Sequence, residues 1–455
     1  MIPVHELPQD QALPHLAQAL DEAAMGEVFA DAVRAHGAQL ESCRIERIKY
    51  RPRRNCTLSY RLQLRNSAAD LAFEQRVTAR LCGGGDSARR AARAGEARLV
   101  PSIAGPALRL LPALDMLTWW WPNDAKLAAP RVLADARALR ERVLPELVAA
   151  LSAGRGSLVD HDLEIAQYVP ERRLCVRMDV RWHAGGDLVE QRVYAKAGRE
   201  PDGVTAHAVL RALQASPAWR TGQLRTPRAL LWQRAFDLHW QQAMPGSAML
   251  DLAPAEAARL AAPLGAQLAA LHGTPVPVAP ELTRASLRAR LTEVTKVLGD
   301  ALPGSHGALQ RAAARLSSDL SGLAGVPVTL HGDLHPRNIL ADGERLALID
   351  LDDLCRGPAT LEFGAWVAEG MYRAVLDNAA PARDRTAWQA LLDGYADAGG
   401  TVPRPRDLAW ATAWNLLCQR AWRCVVNLKP GRFAIAPCLI ALASEVAGKH
   451  SLEAA

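Results

Sequence analysis

Three short segments of this chain occur twice, in the same order and at similar separations. Tyr50-Arg51-Pro52-Arg53-Arg54-Asn55-Cys56 is echoed by Tyr168-Val169-Pro170-Glu171-Arg172-Arg173-Leu174-Cys175. Glu74-Gln75-Arg76-Val77-Thr78-Ala79-Arg80 is echoed by Glu190-Gln191-Arg192-Val193-Tyr194-Ala195-Lys196, and Pro122-Asn123-Asp124-Ala125-Lys126-Leu127 by Pro245-Gly246-Ser247-Ala248-Met249-Leu250. One such match would be coincidence; three in order argue for an internal duplication of about ninety residues. Alternating β-type residues over 45–50 and again over 56–64, with a turn at 52–55 between them, open the first copy with a hairpin. The chain should therefore contain a β-rich module twice, near residues 41–127 and 161–250.

Helical patterns surround the two copies. Residues 15–20 and 23–33 carry apolar positions at helical spacing, with His36-Gly37 as the stop, so 1–40 forms a helical segment. Residues 129–151 read as a helix kinked at Pro145 inside a linker spanning 128–160. Past residue 250 the character changes to a helical lobe, 251–455. Its helices are expected at 254–272 (behind Asp251 as a possible cap, with Pro263 as a break), 282–298 and 307–323. Short buried strands at 327–330 and 346–351 interrupt it, and 361–446 is mainly helical around a loop at 399–405.

A length of 455 residues exceeds what one hydrophobic core usually serves. Residues 1–11 lack the basic start and apolar run of a secretory signal, and no apolar stretch reaches the roughly 18 residues of a membrane span. The expectation is a soluble, cytoplasmic protein with no membrane partner. The net charge of +6 comes mostly from arginine and is compatible with a polyphosphate ligand. No basic run is interleaved with aromatics, so no nucleic acid is expected as a partner. The eight cysteines are scattered, without the paired spacing of a zinc site or disulfide framework, and read as small packing residues.

Chemistry concentrates in His331-Gly332-Asp333-Leu334-His335-Pro336-Arg337-Asn338-Ile339-Leu340, followed by Leu348-Ile349-Asp350-Leu351-Asp352-Asp353. Phosphoryl transfer to a hydroxyl needs one carboxylate to orient the acceptor and take its proton, and two oxygen ligands for magnesium. An Asp-x-x-x-x-Asn loop with an aspartate at the next strand end supplies that set. A lone His-x-Asp would more often be a hydrogen-bonded turn; the ordered constellation is what favours chemistry.

These residues resemble the aminoglycoside/choline phosphotransferase family, which has a protein-kinase-like fold. The resemblance covers roughly residues 161–455 and is most specific over 331–366. It implies an α+β, bilobal architecture: a β-rich small lobe binding ATP at 161–250, a helical large lobe holding the catalytic and acceptor sites at 251–455, and a degenerate duplicate of the small lobe in front. It implies Asp333 as catalytic base and Asn338 and Asp350 as Mg2+ ligands. His335 would lie near the transferred phosphate, where many protein kinases carry a lysine. Leu361-Glu362-Phe363-Gly364 stands where the family often has an aspartate, so Glu362 is a departure. Val193-Tyr194-Ala195-Lys196 resembles the strand bearing the phosphate-pairing lysine. Arg172 and Arg173, on a turn without the glycine-rich loop of protein kinases, are candidates for phosphate contact. The glutamate partner of Lys196 is unassigned, Glu200 being too near in sequence. Trp240-Gln241-Gln242-Ala243-Met244-Pro245-Gly246 resembles the interlobe linker, so Gln242, Ala243 and Met244 are expected at the adenine.

The first module has Arg80 in place of the lysine and no catalytic loop behind it. It is expected to pack on the second, to cap the substrate cleft or to form a homodimer surface. Trp119-Trp120-Trp121 is either a packing run or a sugar platform, with packing favoured. Residues 360–455 hold nine Asp/Glu against ten Lys/Arg, which argues against a polycationic acceptor. A neutral sugar-like hydroxyl compound fits better, as does one with an anionic group met by Arg420, Arg423 or Lys429. Trp410 and Trp414 share a helix face and read as core. Two other readings are open. One is a catalytically silent, kinase-like nucleotide-binding or regulatory module. The other is a metal-dependent hydrolase built on His331, Asp333 and His335.

Overall fold

The computed structural model describes residues 8–66, 71–94, 99–198, 202–320, 323, 325–379, 386–449 and 452. Two five-stranded antiparallel sheets follow one another along the chain. The first holds β1 (Ala38–Arg51), β2 (Asn55–Asn66), β3 (Ala72–Leu81), β4 (Leu108–Leu111) and β5 (Met116–Trp120), in the spatial order β1-β2-β3-β5-β4. The second holds β6 (Gly156–Val169), β7 (Arg173–Ala184), β8 (Asp187–Ala197), β9 (Ala229–Gln233) and β10 (Leu238–Gln242), in the order β6-β7-β8-β10-β9. Each has a helix between its third and fourth strands, Asp86–Arg93 and Asp202–Ala215. The α+β class and the arrangement of antiparallel sheets followed by a helical region are those expected.

Alternation explains the strands. Along β2, Leu58, Tyr60, Leu62 and Leu64 are fully buried, while half-buried Arg65, next after Leu64, meets Glu41 of β1 at 2.6 Å. On the second sheet Arg192 meets Asp179 across β7 and β8 at 2.7 Å.

The two sheets also agree in detail. Arg51 faces Asn55 and Val169 faces Arg173. In both hairpins the turn closes with one 3.0 Å hydrogen bond, Arg54 N–H to Arg51 O and Arg172 N–H to Val169 O. Arg53 and Glu171 hold left-handed φ of 59° and 60°. Register puts Thr57 opposite Arg80 and Cys175 opposite Lys196. Counted from Tyr50 and Tyr168 these are the same place, so Cys56 corresponds to Leu174, and its sequence match with Cys175 is off by one.

Each sheet is covered by apolar helices. Asp21 caps the helix Glu22–Arg34 by accepting from the N–H groups of Ala23 and Ala24. Its Phe29 stands edge-on to Tyr60 and Trp120, 5.1 and 5.8 Å between centroids. Trp119 and Trp120 are buried, and Trp121 packs edge-on to Tyr168 at 5.4 Å. The tryptophan run is therefore core, and the sugar-platform alternative falls away.

Over the second sheet the expected single helix is instead Ala129–Ala134, Ala136–Ala138, a π turn Leu139–Val143, and Leu144–Ser152. The break lies at Asp135, whose side chain caps the second piece. Pro145 follows just after the π turn, whose wider winding accommodates the missing N–H. Leu139, Val143 and Leu147 pack with Val176, Met178, Val193 and Trp240. Fully burying side chains of this size contributes roughly 1.5–3 kcal/mol each.

The chain divides into two compact units. One comprises residues 1–203, 230–240 and 424–434 and so holds both sheets; the other comprises 204–229, 241–423 and 435–455. In the second unit the helix expected over 254–272 breaks at Leu260, giving Pro254–Arg259 and Ala261–His272. Arg284–Ala301, His306–Asp319, Thr360–Leu376, Thr386–Asp397 and Pro405–Asn415 follow. The helix carrying Trp410 and Trp414 opens into a π turn, Leu416–Ala421. Two helices cross at glycines: a Cβ on Gly265 would lie 2.2 Å from Leu391 O, and one on Gly394 2.1 Å from Ala262 O. Five short strands complete the unit: β11 (Ser247–Ala248), β12 (Val328–Leu330), β13 (Ile339–Asp342), β14 (Arg345–Leu348) and β15 (Cys355–Gly357). Among the described residues no helix is long and apolar enough to cross a membrane.

Candidate active site

The loop 331–338 leaves β12, which pairs antiparallel with β15 so that Leu330 faces Cys355. Gly332 has φ 82°, and a Cβ there would fall 1.9 Å from Asp353 O. Only glycine fits that crossing. His331 is wholly buried. Its Nε2 meets Ile349 O at 2.9 Å and its Nδ1 meets Asp333 N–H at 3.4 Å. Both ring nitrogens thus hold the loop in shape, and the hydrolase reading loses its first metal ligand.

Glu362, in the first turn of the helix Thr360–Leu376, anchors the same loop from behind. Its carboxylate accepts His331 N–H at 2.5 Å and Gly332 N–H at 3.3 Å. His272, at the end of its helix, stands 3.7 Å from it and shares a 2.9 Å hydrogen bond with Tyr395 Oη. Burial first, then the Glu362 charge, pushes the Tyr395 hydroxyl up to about 12. The departure from aspartate at Glu362 is accordingly a carboxylate that still reaches two backbone amides.

Asp333 Oδ1 accepts from Arg423 Nη2 at 3.0 Å, and His335 Nε2 lies 3.7 Å from Oδ2. Burial opposes the charge on Asp333. The Arg423 and His335 charges, then Arg420, outweigh it and hold the carboxyl below its ordinary range. Burial, helped by Arg420 and Arg423, outweighs the pull of Asp333 and lowers the His335 pKa, which leaves that imidazole neutral near pH 7. Beyond them, Arg420 Nη1 pairs with Glu369 Oε2 at 3.1 Å and Arg373 Nη2 with Glu369 Oε1 at 2.6 Å. Arg420 is only 7 % exposed, and it sits in the π turn, an irregularity that often marks functional positions.

Asn338 is tied to the loop three times. Its Nδ2 donates to Asp333 O at 3.0 Å, its N–H to His335 O at 2.9 Å, and its carbonyl accepts Ile349 N–H at 2.9 Å. With the amide N–H so used, Oδ1 is the atom left to accept or ligate. The bond to Ile349, together with the facing of Ile339 and Leu348, brings half-buried Asp350 to the strand end beside Asn338. Asp350 has φ 58°. Asp333, His335, Asn338 and Asp350 therefore belong to one constellation of loop and strand ends.

The other expected site residues are distributed between the units. Lys196 is half-buried near the end of β8 and Arg172 is exposed on the β6–β7 turn, both in the unit of the sheets. Gln242, Ala243 and Met244 are half-buried in the other unit, where Gln242 N–H donates to Arg228 O at 2.9 Å. Glu200 lies outside the described residues. Of the arginines expected to meet an anion, Arg423 is on Asp333 and Arg420 on Glu369, whereas Lys429 is exposed. Trp410 and Trp414 are buried as expected. Sequence reasoning overlooked Glu369 and Arg373, four apart on one helix face and recognisable as a helical acid–base pair.

The sequence pattern of the phosphotransferase enzyme family matches residues 192–411, just under half of the chain. No curated protein sequence matches it. Among solved structures, it is similar to the macrolide 2'-phosphotransferase of Brachybacterium faecium, with 18 % identity, 65 % of this chain and 97 % of that one covered, and a TM-score of 0.43. It is similar to a choline/ethanolamine kinase family protein from Mesorhizobium loti, with 16 % identity, coverage of 69 % and 98 %, and a TM-score of 0.45. An aminoglycoside phosphotransferase in ternary complex with ADP and hygromycin B gives 14 %, 67 % and 98 %, and 0.45.

Proposed function

We propose that the chain is a small-molecule phosphotransferase, a reading supported by the family match over residues 192–411, and that it transfers the γ-phosphate of ATP to a hydroxyl of a sugar-like metabolite or natural product. The observation that carries this reading is the linkage of Asp333 through Asn338 to the strand end bearing Asp350. Asp333 orients the acceptor hydroxyl and takes its proton. Arg423, hydrogen-bonded to it, keeps it aimed. Asn338 Oδ1 and the Asp350 carboxylate are hard oxygen donors of the kind magnesium prefers, and they would hold that ion. When bound, magnesium neutralises the phosphate oxygens of the nucleotide. Lys196 and Arg172 meet the nucleotide phosphates, and Gln242, Ala243 and Met244 meet the adenine. Neutral His335 stands beside the base and hydrogen-bonds near the transferred group.

Among the described residues, Arg423 pairs with Asp333, and Arg373 and Arg420 share Glu369. A polycationic acceptor would meet net repulsion there. Neutral or anionic hydroxyl compounds are therefore expected to turn over in a magnesium–ATP assay, and aminoglycosides are not. Efficient aminoglycoside turnover would contradict this choice of acceptor.

Asp333→Asn is expected to lose ~10²–10⁴-fold in kcat while a non-hydrolysable ATP analogue still binds in calorimetry. Turnover near the wild-type rate in that variant would end the assignment. ATP bound but never consumed across a broad acceptor panel would favour the silent, regulatory alternative.

A further inference from the structure

The first sheet carries Arg80 at the register place that Lys196 holds in the second. Arg80 is not aimed at solvent. Its Nη2 lies 2.5 Å from Glu171 Oε2, and Lys126 Nζ lies 2.8 Å from the same oxygen. Glu171 is the left-handed residue of the β6–β7 turn, 5 % exposed, and its neighbour Arg172 is the proposed phosphate contact. A second tie runs parallel. Asp124 Oδ2 accepts Glu171 N–H at 2.9 Å and Tyr168 Oη–H at 2.6 Å, and Thr78 Oγ1 of β3 is 3.3 Å from that hydroxyl.

The first sheet has a tie of the same design. Asp10 Oδ2 accepts Arg53 N–H at 2.7 Å and Tyr50 Oη–H at 2.9 Å. Arg53 and Tyr50 are the counterparts of Glu171 and Tyr168. In both cases the aspartate's other oxygen accepts from nearby backbone: Ala12 N–H at 3.0 Å for Asp10, and Leu127 N–H at 2.8 Å for Asp124. The sequence shows this as Pro8-Gln9-Asp10-Gln11-Ala12-Leu13 against Pro122-Asn123-Asp124-Ala125-Lys126-Leu127.

We propose that the first sheet module is a clamp for the β6–β7 turn: Arg80 and Lys126 grip the Glu171 carboxylate, fix the turn, and thereby position Arg172 for the nucleotide. This inference rests on the ATP-dependent reading above. In the first module the cation at the lysine place grips a protein carboxylate where its counterpart would grip a phosphate. The second module receives a turn that is held before nucleotide arrives. A turn fixed in advance lowers the ordering cost of binding. Arg80 and Glu171 are thus positioning residues, acting on nucleotide through Arg172.

The test compares wild-type protein with Arg80→Met, Arg80→Lys and Glu171→Gln. Hydrogen exchange first reads the turn without nucleotide. The Glu171 and Arg172 amides should exchange faster in Arg80→Met and Glu171→Gln, with Arg80→Lys near wild type and the β7–β8 amides unchanged. Calorimetry with magnesium and an ATP analogue then reads function. Affinity should fall about tenfold in Arg80→Met and Glu171→Gln, KM for ATP should rise with it, and KM for the acceptor should not move. Should Arg80→Met fail to fold, Glu171→Gln, which keeps size and shape, carries the same readouts. Unchanged exchange at the turn, or variants that melt earlier yet bind nucleotide as wild type does, would overturn the clamp. Wild-type protein that binds no nucleotide would overturn the ATP reading instead, a result separable because the exchange readout uses none.

Discussion

At Glu362 one carboxylate serves two backbone amides, that of the fully buried His331 and that of Gly332. Leaving such groups unsatisfied costs about 1–3 kcal/mol each. Glu362→Ala should therefore lose roughly 2–5 kcal/mol of stability, seen as a lower midpoint in denaturant, and should lose activity because the Asp333 loop is no longer held. Glu362→Gln keeps one acceptor and should fall between. Equal midpoints for Glu362→Ala and wild type would show that the amides find other partners. His331 belongs to the same reasoning. With both nitrogens tied to the loop, its role is architectural, although its place beside Asp333 in the sequence invites a catalytic one.

Among the elements, the tightest constraint is the crossing of Ala261–His272 and Thr386–Asp397, where glycines let backbone meet backbone. Gly265→Ala or Gly394→Ala forces the helices apart against close-packed surroundings, a change expected to cost about 1–3 kcal/mol in a thermal or denaturant melt. A melt indistinguishable from wild type would mean that the pair can separate freely. Period-two alternation made the strands legible in sequence, and the spacing of Asp333, Asn338 and Asp350 pointed to the loop and strand end that form the candidate site. Helix breaks were legible only roughly. The break expected at Pro263 lies three residues ahead of it at Leu260, and the first helix is interrupted at Asp135 as well as by the π turn that ends just before Pro145. A proline disturbs the turn before it and is tolerated in the turn that holds it. The Cys56/Cys175 match misled by one position because the turn fixes register from Tyr50 and Tyr168, not from the cysteines. The ties to Asp10 and Asp124 were hidden too, since a side chain that bonds a distant turn leaves no periodic trace.

For the molecule as a whole, all eight cysteines are free thiols. Burial pushes Cys43 and Cys355 up to about 12, with added push from Glu22 and Glu362. A reducing agent should leave the melting temperature unchanged, and native alkylation should modify exposed Cys438 ahead of the others, as read by peptide mass. A melting temperature that depends on reductant would reveal a disulfide instead. The paired ties of Asp10 and Asp124 also bear on where the chain can be cut. Each aspartate precedes its own sheet and lies upstream of the helices that cover it. Counted by these ties, the repeat is staggered against the sheets and divides just before Pro122. A fragment starting there brings its own fastening for the second hairpin. One starting at Gly156, where the strand begins, leaves that fastening behind and frees the turn it was meant to isolate.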